Sequence, residues 1–216
     1  MQTLVAEHFV SQDPISRRYA LGPALLTILP PSDRISMLTR ILREPMSACA
    51  ACSGFDVWAA VLQDDRVHYI ARVPARHPQR IEVPLLSTQP AYCVSPGRVL
   101  LSAFDRPTVL EILSHHPIRQ YTATTRTDMG EILEAIDAAR INGYSEVAGE
   151  HLPDTRDIAV PVRGEGGTVI AALSIGEKAG LFTEERRRPL LSCLQAAALA
   201  AETLLGGSVN PEARSR

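Results

Sequence analysis

Asp157-Ile158-Ala159-Val160-Pro161-Val162 and Thr168-Val169-Ile170-Ala171-Ala172-Leu173-Ser174-Ile175 are two apolar runs. Arg163 and the glycine-rich turn Gly164-Glu165-Gly166-Gly167 join them. Both runs have strand length and composition, and a connection this short makes neighbours antiparallel. The same logic extends outward. Tyr144–Val147 predicts a strand just before the pair. Upstream, Val57–Leu62 reads as a central strand, and Gln63-Asp64-Asp65 turns it into the alternating run Val67–Val73. Arg80–Leu85 predicts a shorter strand, with Pro84 confining its end to an edge or exit.

Helical periodicity fills the rest. Ser32 predicts the cap of a helix carrying Ile35, Leu38, Ile41 and Leu42, kinked at Pro45 and stopped by Gly54. Ser95 predicts a second cap, with Pro96 in the first turn and Val99, Leu100, Leu101 and Phe104 on the buried face. Asp105-Arg106-Pro107 restarts a short helix through Leu113. Asp128 and Glu131 predict the start of another, and Gly143 its end. Thr183 predicts the cap of a last long helix, Glu184–Leu205. Three strands, three helices, three strands and a helix make an α+β domain on an antiparallel sheet, not a doubly wound parallel fold.

Composition excludes several classes. In 216 residues, 45% are hydrophobic and 21% charged, so the chain can bury a core and is not natively disordered. No apolar run reaches the roughly 18 residues a spanning helix needs. No secretory signal is visible in the first ten positions, so a cytoplasmic location without membrane attachment is expected. A net charge of −2 and 5% aromatics do not suit a free-standing nucleic-acid-binding surface. The four cysteines, Cys49, Cys52, Cys93 and Cys193, do not read as a disulfide scaffold in a chain this long. Cys49-Ala50-Ala51-Cys52 has redox spacing but lies at a helix end, and is expected to be two small packed residues. His115-His116 is expected in a solvated loop, and Arg186-Arg187-Arg188 on a solvated helix face with local ion pairs. Glu150, His151 and His77 are the best grouping for a metal, a weak one. No nucleophile elbow, P-loop or dinucleotide fingerprint is present, so neither enzymatic activity nor a cofactor is expected.

Three stretches together resemble the isocitrate-lyase-regulator (IclR) family of bacterial transcription factors. Arg18-Tyr19-Ala20-Leu21-Gly22-Pro23-Ala24-Leu25 resembles the family's passage from DNA-binding wing to linker. Pro90-Ala91-Tyr92-Cys93-Val94-Ser95-Pro96-Gly97-Arg98-Val99-Leu100-Leu101 resembles its Pro-x-His-Ala-Thr-x-x-Gly-Lys-Ala-x-Leu region. Arg156–Val162 with Ala171–Ile175 resembles its C-terminal signature. Tyr69-Ile70-Ala71-Arg72-Val73-Pro74 and Pro90–Cys93 are similar to regulators of aromatic-acid catabolism of the β-ketoadipate type.

The resemblance implies a GAF-like effector-binding domain, with a curved antiparallel sheet flanked by helices. It divides the chain into a winged-helix remnant (1–22), a linker and first helix (23–54), the effector-binding domain (55–207) and a polar tail (208–216). A family member carries a winged helix-turn-helix before the wing. Here only Thr3–Leu21 corresponds to its end, through a late start codon or a truncation. These residues alone are not expected to read DNA, which requires both helices of the motif. The implied partners are a small-molecule effector, further copies of the chain in a dimer or tetramer, and DNA only with a full winged helix upstream. A stand-alone binding or dimerisation module is the alternative.

By family position the effector site comprises Ile81, Cys93, Ser95, Pro96, Gly97, Val147, Asp157, Ser174 and Gly176. Free N–H groups at the helix start near Ser95 suit a carboxylate, with Gly97 allowing close approach. Cys93 is expected to pack and not to act as a nucleophile. Two departures stand out. Pro96 removes one N–H from that turn, and Asp157 stands where relatives have a small neutral residue. Either the effector is less anionic than an aromatic acid, or Asp157 points away, or Arg156, Arg98 or a water compensates. Asp154 likewise replaces a frequent glycine.

Overall fold

A computed structural model describes residues 3–4, 9–12, 19–21, 31–75 and 88–206. The expected strand Arg80–Leu85, with Ile81, lies outside the described residues, as do His77 and the tail. Near the start, Thr3 and Leu4 are helical. Strands β1 (Val10–Gln12) and β2 (Tyr19–Leu21) pair antiparallel, with Val10 opposite Leu21.

Helix α1 spans Pro31–Ser53 without the break expected at Pro45. The proline forgoes one hydrogen bond at a cost of roughly 3 kcal/mol. Against that, Leu38, Leu42, Met46, Cys49 and Ala50 form one continuous buried stripe spanning both sides of it. Burying large side chains such as these returns about 1.5–3 kcal/mol each, so the helix continues.

The main sheet is six-stranded and antiparallel, in the order β5-β4-β3-β8-β7-β6. Its strands are β3 (Val57–Gln63), β4 (Arg66–Val73), β5 (Thr88–Pro90), β6 (Ser145–Ala148), β7 (Thr155–Arg163) and β8 (Val169–Lys178). Two meanders therefore meet at β3 and β8, where Trp58 stands opposite Ser174. Helices cover both faces. One carries α1 and the last helix, α5 (Glu184–Leu204), over Val57, Ile158, Val160, Leu173 and Ile175. Opposite lie α2 (Ser95–Leu101), α3 (Arg106–Leu113) and α4 (Met129–Asn142).

Strict alternation along β4 fails at one position. The register steps from Ala59↔Ala71 to Ala60↔Tyr69, so Ile70 is the extra residue of a bulge. Val67 and Tyr69 consequently face α2, whereas Ala71 and Val73 pack on the α1 side. Arg72 falls opposite Trp58 and binds Asp56 at 2.5 Å.

Several expected features take a different form. Val94, not Ser95, is the N-cap of α2, and Ser95 is its first residue. Thr183 precedes α5 without a side-chain cap bond. Phe104 is 38% exposed and lies beyond the end of α2, off its buried face. Cys52, in the last turn of α1, is bonded to Cys193 of α5, because the two helices pack side by side. Cys49 remains a free buried thiol, pushed by burial up to about 12. His115 and His116 are exposed in their loop as expected, His116 reaching back to Asp65 at 2.9 Å, whereas Arg187 pairs with the remote Glu146 at 2.6 Å. Elsewhere the capping chemistry is as expected. Asp105 accepts from Thr108 N–H, Asp128 accepts from Glu131 N–H, and Gly143 closes α4 at φ 71°.

Candidate functional site

Beneath α2, the two meanders enclose a cavity of about 50 Å³. Register explains its walls. Asp157 stands opposite Gly176 and Val147, and Ala159 opposite Ser174 and Ser145. These residues share one face, on the side away from Ile158 and Ile175. Trp58 and Tyr69 extend the same face from the first meander, their rings edge-on with centroids 5.7 Å apart. Gln89 of β5 accepts the Tyr69 hydroxyl at 2.9 Å. The loop between β6 and β7 closes the rim with His151 and Leu152.

Asp157 does not point away. It lines the cavity, and its Oδ2 accepts the Ser95 main-chain N–H at 2.6 Å. The helix start expected to hold an effector's carboxylate already faces a carboxylate of the chain itself. Burial pushes the Asp157 carboxyl up to about 6, and the Ser95 hydroxyl, the Ser95 N–H and the Arg98 guanidinium only partly offset this. The Ser95 hydroxyl, fully buried beside it, also acts on that carboxylate but makes no well-aligned hydrogen bond. Nor does Nδ1 of His151, a ring that burial holds below the usual histidine range, reinforced by the Arg66 charge.

The raised Asp157 value has a direct consequence for stability. The group is more readily protonated in the folded state than at its ordinary 3.8. Its favourable contribution is therefore complete below 3.8 and lost as pH rises through about 6. Asp157→Asn should stabilise the fold at pH 7.5 by about 1–2 kcal/mol, a gain that vanishes by pH 4. Urea melts of both proteins at the two pH values measure it, and a pH-independent gap would refute the assignment.

Among the nine positions inferred from the resemblance, Asp157, Ser174 and Gly176 line the cavity. Val147 is buried opposite Asp157, and Ser95 touches Asp157 through its main chain. Ile81 lies outside the described residues. Cys93, Pro96 and Gly97 are buried but form no part of the wall. Cys93 packs with its Sγ 3.7 Å from the Pro90 carbonyl, burial raising its thiol to about 12. The close approach at Gly97 is to protein: a Cβ there would stand 2.1 Å from the Ala91 carbonyl oxygen. Trp58, Tyr69, Gln89, His151 and Thr155 also line the cavity and were not anticipated. The β4 alternation was the one available signal, and it pointed to Tyr69.

Neither neighbouring cation is free to compensate Asp157. Arg98, 1% exposed, donates from Nε to the Tyr92 carbonyl at 2.9 Å and from Nη2 to Glu150 at 2.6 Å. Arg156 is held by Glu146 at 3.3 Å and Glu184 at 3.1 Å. Glu150 is thus committed to an ion pair, and no metal-binding group of His, Cys, Asp and Glu occurs among the described residues. Asp154 adopts φ 56°, the left-handed region in which glycine is unstrained, at the loop's return into β7.

A three-layer α+β domain with a polar-tipped cavity between sheet and helix has the form of a small-molecule-binding domain. Residues 35–203 match the family described as bacterial transcriptional regulator IclR C-terminal, and the chain belongs to the IclR family. It is 29% identical over 198 residues to the HTH-type transcriptional regulator KdgR of Dickeya chrysanthemi, covering 92% of this chain and 65% of that protein. Over 137 residues it is 32% identical to the Pca regulon regulatory protein of Pseudomonas putida, covering 61% of this chain and 47% of that one. The chain thus spans less than two thirds of either relative. Among solved structures, it is similar to the inducer-binding domain of a PobR double mutant from Acinetobacter in complex with 3-hydroxybenzoic acid. The TM-score is 0.69 at 26% identity, over 74% of this chain and 95% of that one. The relatives are transcriptional regulators, not enzymes. No described helix is long and apolar enough to cross a membrane.

Proposed function

We propose that this chain is the ligand-sensing part of an IclR-type regulator, whose cavity over Asp157 binds a small effector and thereby controls DNA binding by a dimer or tetramer. The observation that carries the reading is the cavity's construction. Both meanders wall it, and the buried Asp157 carboxylate, with the Ser95 hydroxyl beside it, faces its interior. The apolar faces of Trp58, Tyr69 and Val94 suit a single ring or a short carbon chain, the size of an aromatic or keto acid. The 3-hydroxybenzoic acid bound by the PobR inducer-binding domain is of that size class.

At about 50 Å³ the cavity holds a few waters, each needing roughly 10–15 Å³. An effector therefore parts the walls, and the His151–Leu152 loop is the part of the wall that lies outside the helices and strands. This couples occupancy to a change of shape, which a sensor requires.

A thermal-shift panel of small ring and keto compounds, in acidic, neutral and basic forms, tests the reading. A true effector at about a hundred times its Kd should add about 2.7 kcal/mol. That corresponds to a rise of roughly 5–10 °C for a domain this size. Ser95→Arg should fill the cavity and abolish the shift. If no compound raises the melting temperature, or Ser95→Arg leaves the response intact, the site is wrongly placed.

A further inference from the structure

We propose that the buried polar end of the effector is a protonated amine, held by the Asp157 carboxylate, with its hydrocarbon part against Trp58, Tyr69 and Val94. This rests on the cavity being the effector site, and it specifies the charge such an effector carries.

The cations near the cavity are engaged elsewhere; Arg66, whose charge reaches His151 at the rim, donates to Thr88. From β7, Asp157 exposes a carboxylate to the interior. Arg156, on the same strand, spends its guanidinium on Glu146 and Glu184. From α2, Arg98 is neutralised by Glu150. His151, on the rim, is held below the usual histidine range by burial and by the Arg66 charge. The remaining polar groups are uncharged at neutral pH: the Tyr69 hydroxyl, the Gln89 amide, and the Ser95, Thr155 and Ser174 hydroxyls. Among these described groups Asp157 is left as the one charge without a cationic partner. A carboxylate effector would meet it as a like charge in a largely buried cavity, which opposes binding.

An ammonium group reverses each term. It supplies the missing counter-charge and offers N–H donors to Asp157. The Ser95 hydroxyl, which already acts on Asp157, can accept another. The Trp58 ring already takes the Arg72 guanidinium over its face, 5.0 Å from the centroid, so a cation is tolerated against this wall. Gly176 opposite Asp157 adds no side chain, so the carboxylate stays reachable from the cavity.

The test is isothermal titration of the whole chain at pH 7.5. The probes are matched trios: several ring and short-chain scaffolds, each carried as ammonium, alcohol and carboxylate. Within the trios that bind, the ammonium member should bind wild type at least tenfold more tightly than the carboxylate. Asp157→Asn keeps the shape and the acceptor for the Ser95 N–H, and should shrink or invert that ratio by at least tenfold. A wild type that prefers the carboxylate, or an unchanged ratio in Asp157→Asn, overturns the proposal while leaving the cavity as the effector site. The order in wild type decides this even if the variant folds poorly. If no member of any trio binds either protein, the effector-site reading falls, and the amine assignment with it.

Discussion

Gly97→Ala should destabilise the domain by about 4 kcal/mol, and lower its melting temperature by roughly 8–16 °C. A Cβ at this position would lie 2.1 Å from the Ala91 carbonyl oxygen, 2.4 Å from its Cα and 2.6 Å from its carbonyl carbon. All three are backbone atoms, so no rotamer change can make room. Ordinary overpacking costs about 1–3 kcal/mol because neighbouring side chains yield. Here the whole of α2, fully buried along its length, must lift away from Ala91–Cys93. Gly180→Ala, whose added Cβ meets nothing within 4 Å, is the control and should change stability by less than about 0.5 kcal/mol. Urea denaturation of the three proteins measures both values. A loss below about 1 kcal/mol at Gly97 would mean that α2 is not seated as described.

That prediction also shows what could be read from the amino-acid order. Gly97 was legible as a point of close approach, but not what approaches it. A missing side chain indicates proximity without naming the partner. The strands were legible where hairpin turns follow apolar runs, as in Asp157–Ile175, because turn and pattern are both local. Helix ends at Asp105, Asp128 and Gly143 were legible for the same reason: each cap bond spans four residues or fewer. Non-local facts were not. The Ile70 bulge decides whether Ala71 or Arg72 shares a face with Trp58, and it arises from how β3 and β4 fit. The Cys52–Cys193 link joins residues 141 positions apart and becomes apparent only once α1 and α5 are side by side.

The site divides in the same way. Alternation with Ile158 and Val160 places Asp157 on the opposite face of β7 from the α1–α5 core. Which face holds a cavity depends on where α2 lies, and the strand cannot supply that. The choice left open for Asp157, inward or outward, is therefore resolved by packing. Both cations named as possible compensators, Arg98 and Arg156, prove to be spent on glutamates far away in sequence. The acidic character of the cavity is thus a property of partnerships between elements, not of its wall residues alone.

Arg98→Met should cost about 3–5 kcal/mol, the penalty for breaking a buried ion pair and leaving one charge alone. Arg98 is 1% exposed and Glu150 5%, so neither can turn to water when its partner is lost. Removing the guanidinium also orphans the Tyr92 carbonyl, which it holds at 2.9 Å. Glu150 keeps only the Arg126 N–H at 3.2 Å and a distant Arg126 guanidinium at 3.9 Å. The double variant Arg98→Met with Glu150→Gln removes the stranded charge. It should lose at least about 1–2 kcal/mol less than the two single losses added together, a coupling that independent sites do not show. Strict additivity in urea melts would refute the pairing. The pair also ties α2 to the loop that carries His151 and Leu152 into the cavity wall. Its loss should loosen that loop and weaken the thermal shift from any ligand that binds over Asp157, whatever the ligand's charge. A helix seated on Ala91 by Gly97 and tied to the rim by Arg98 thus gives a bound effector a rigid element against which to move the loop.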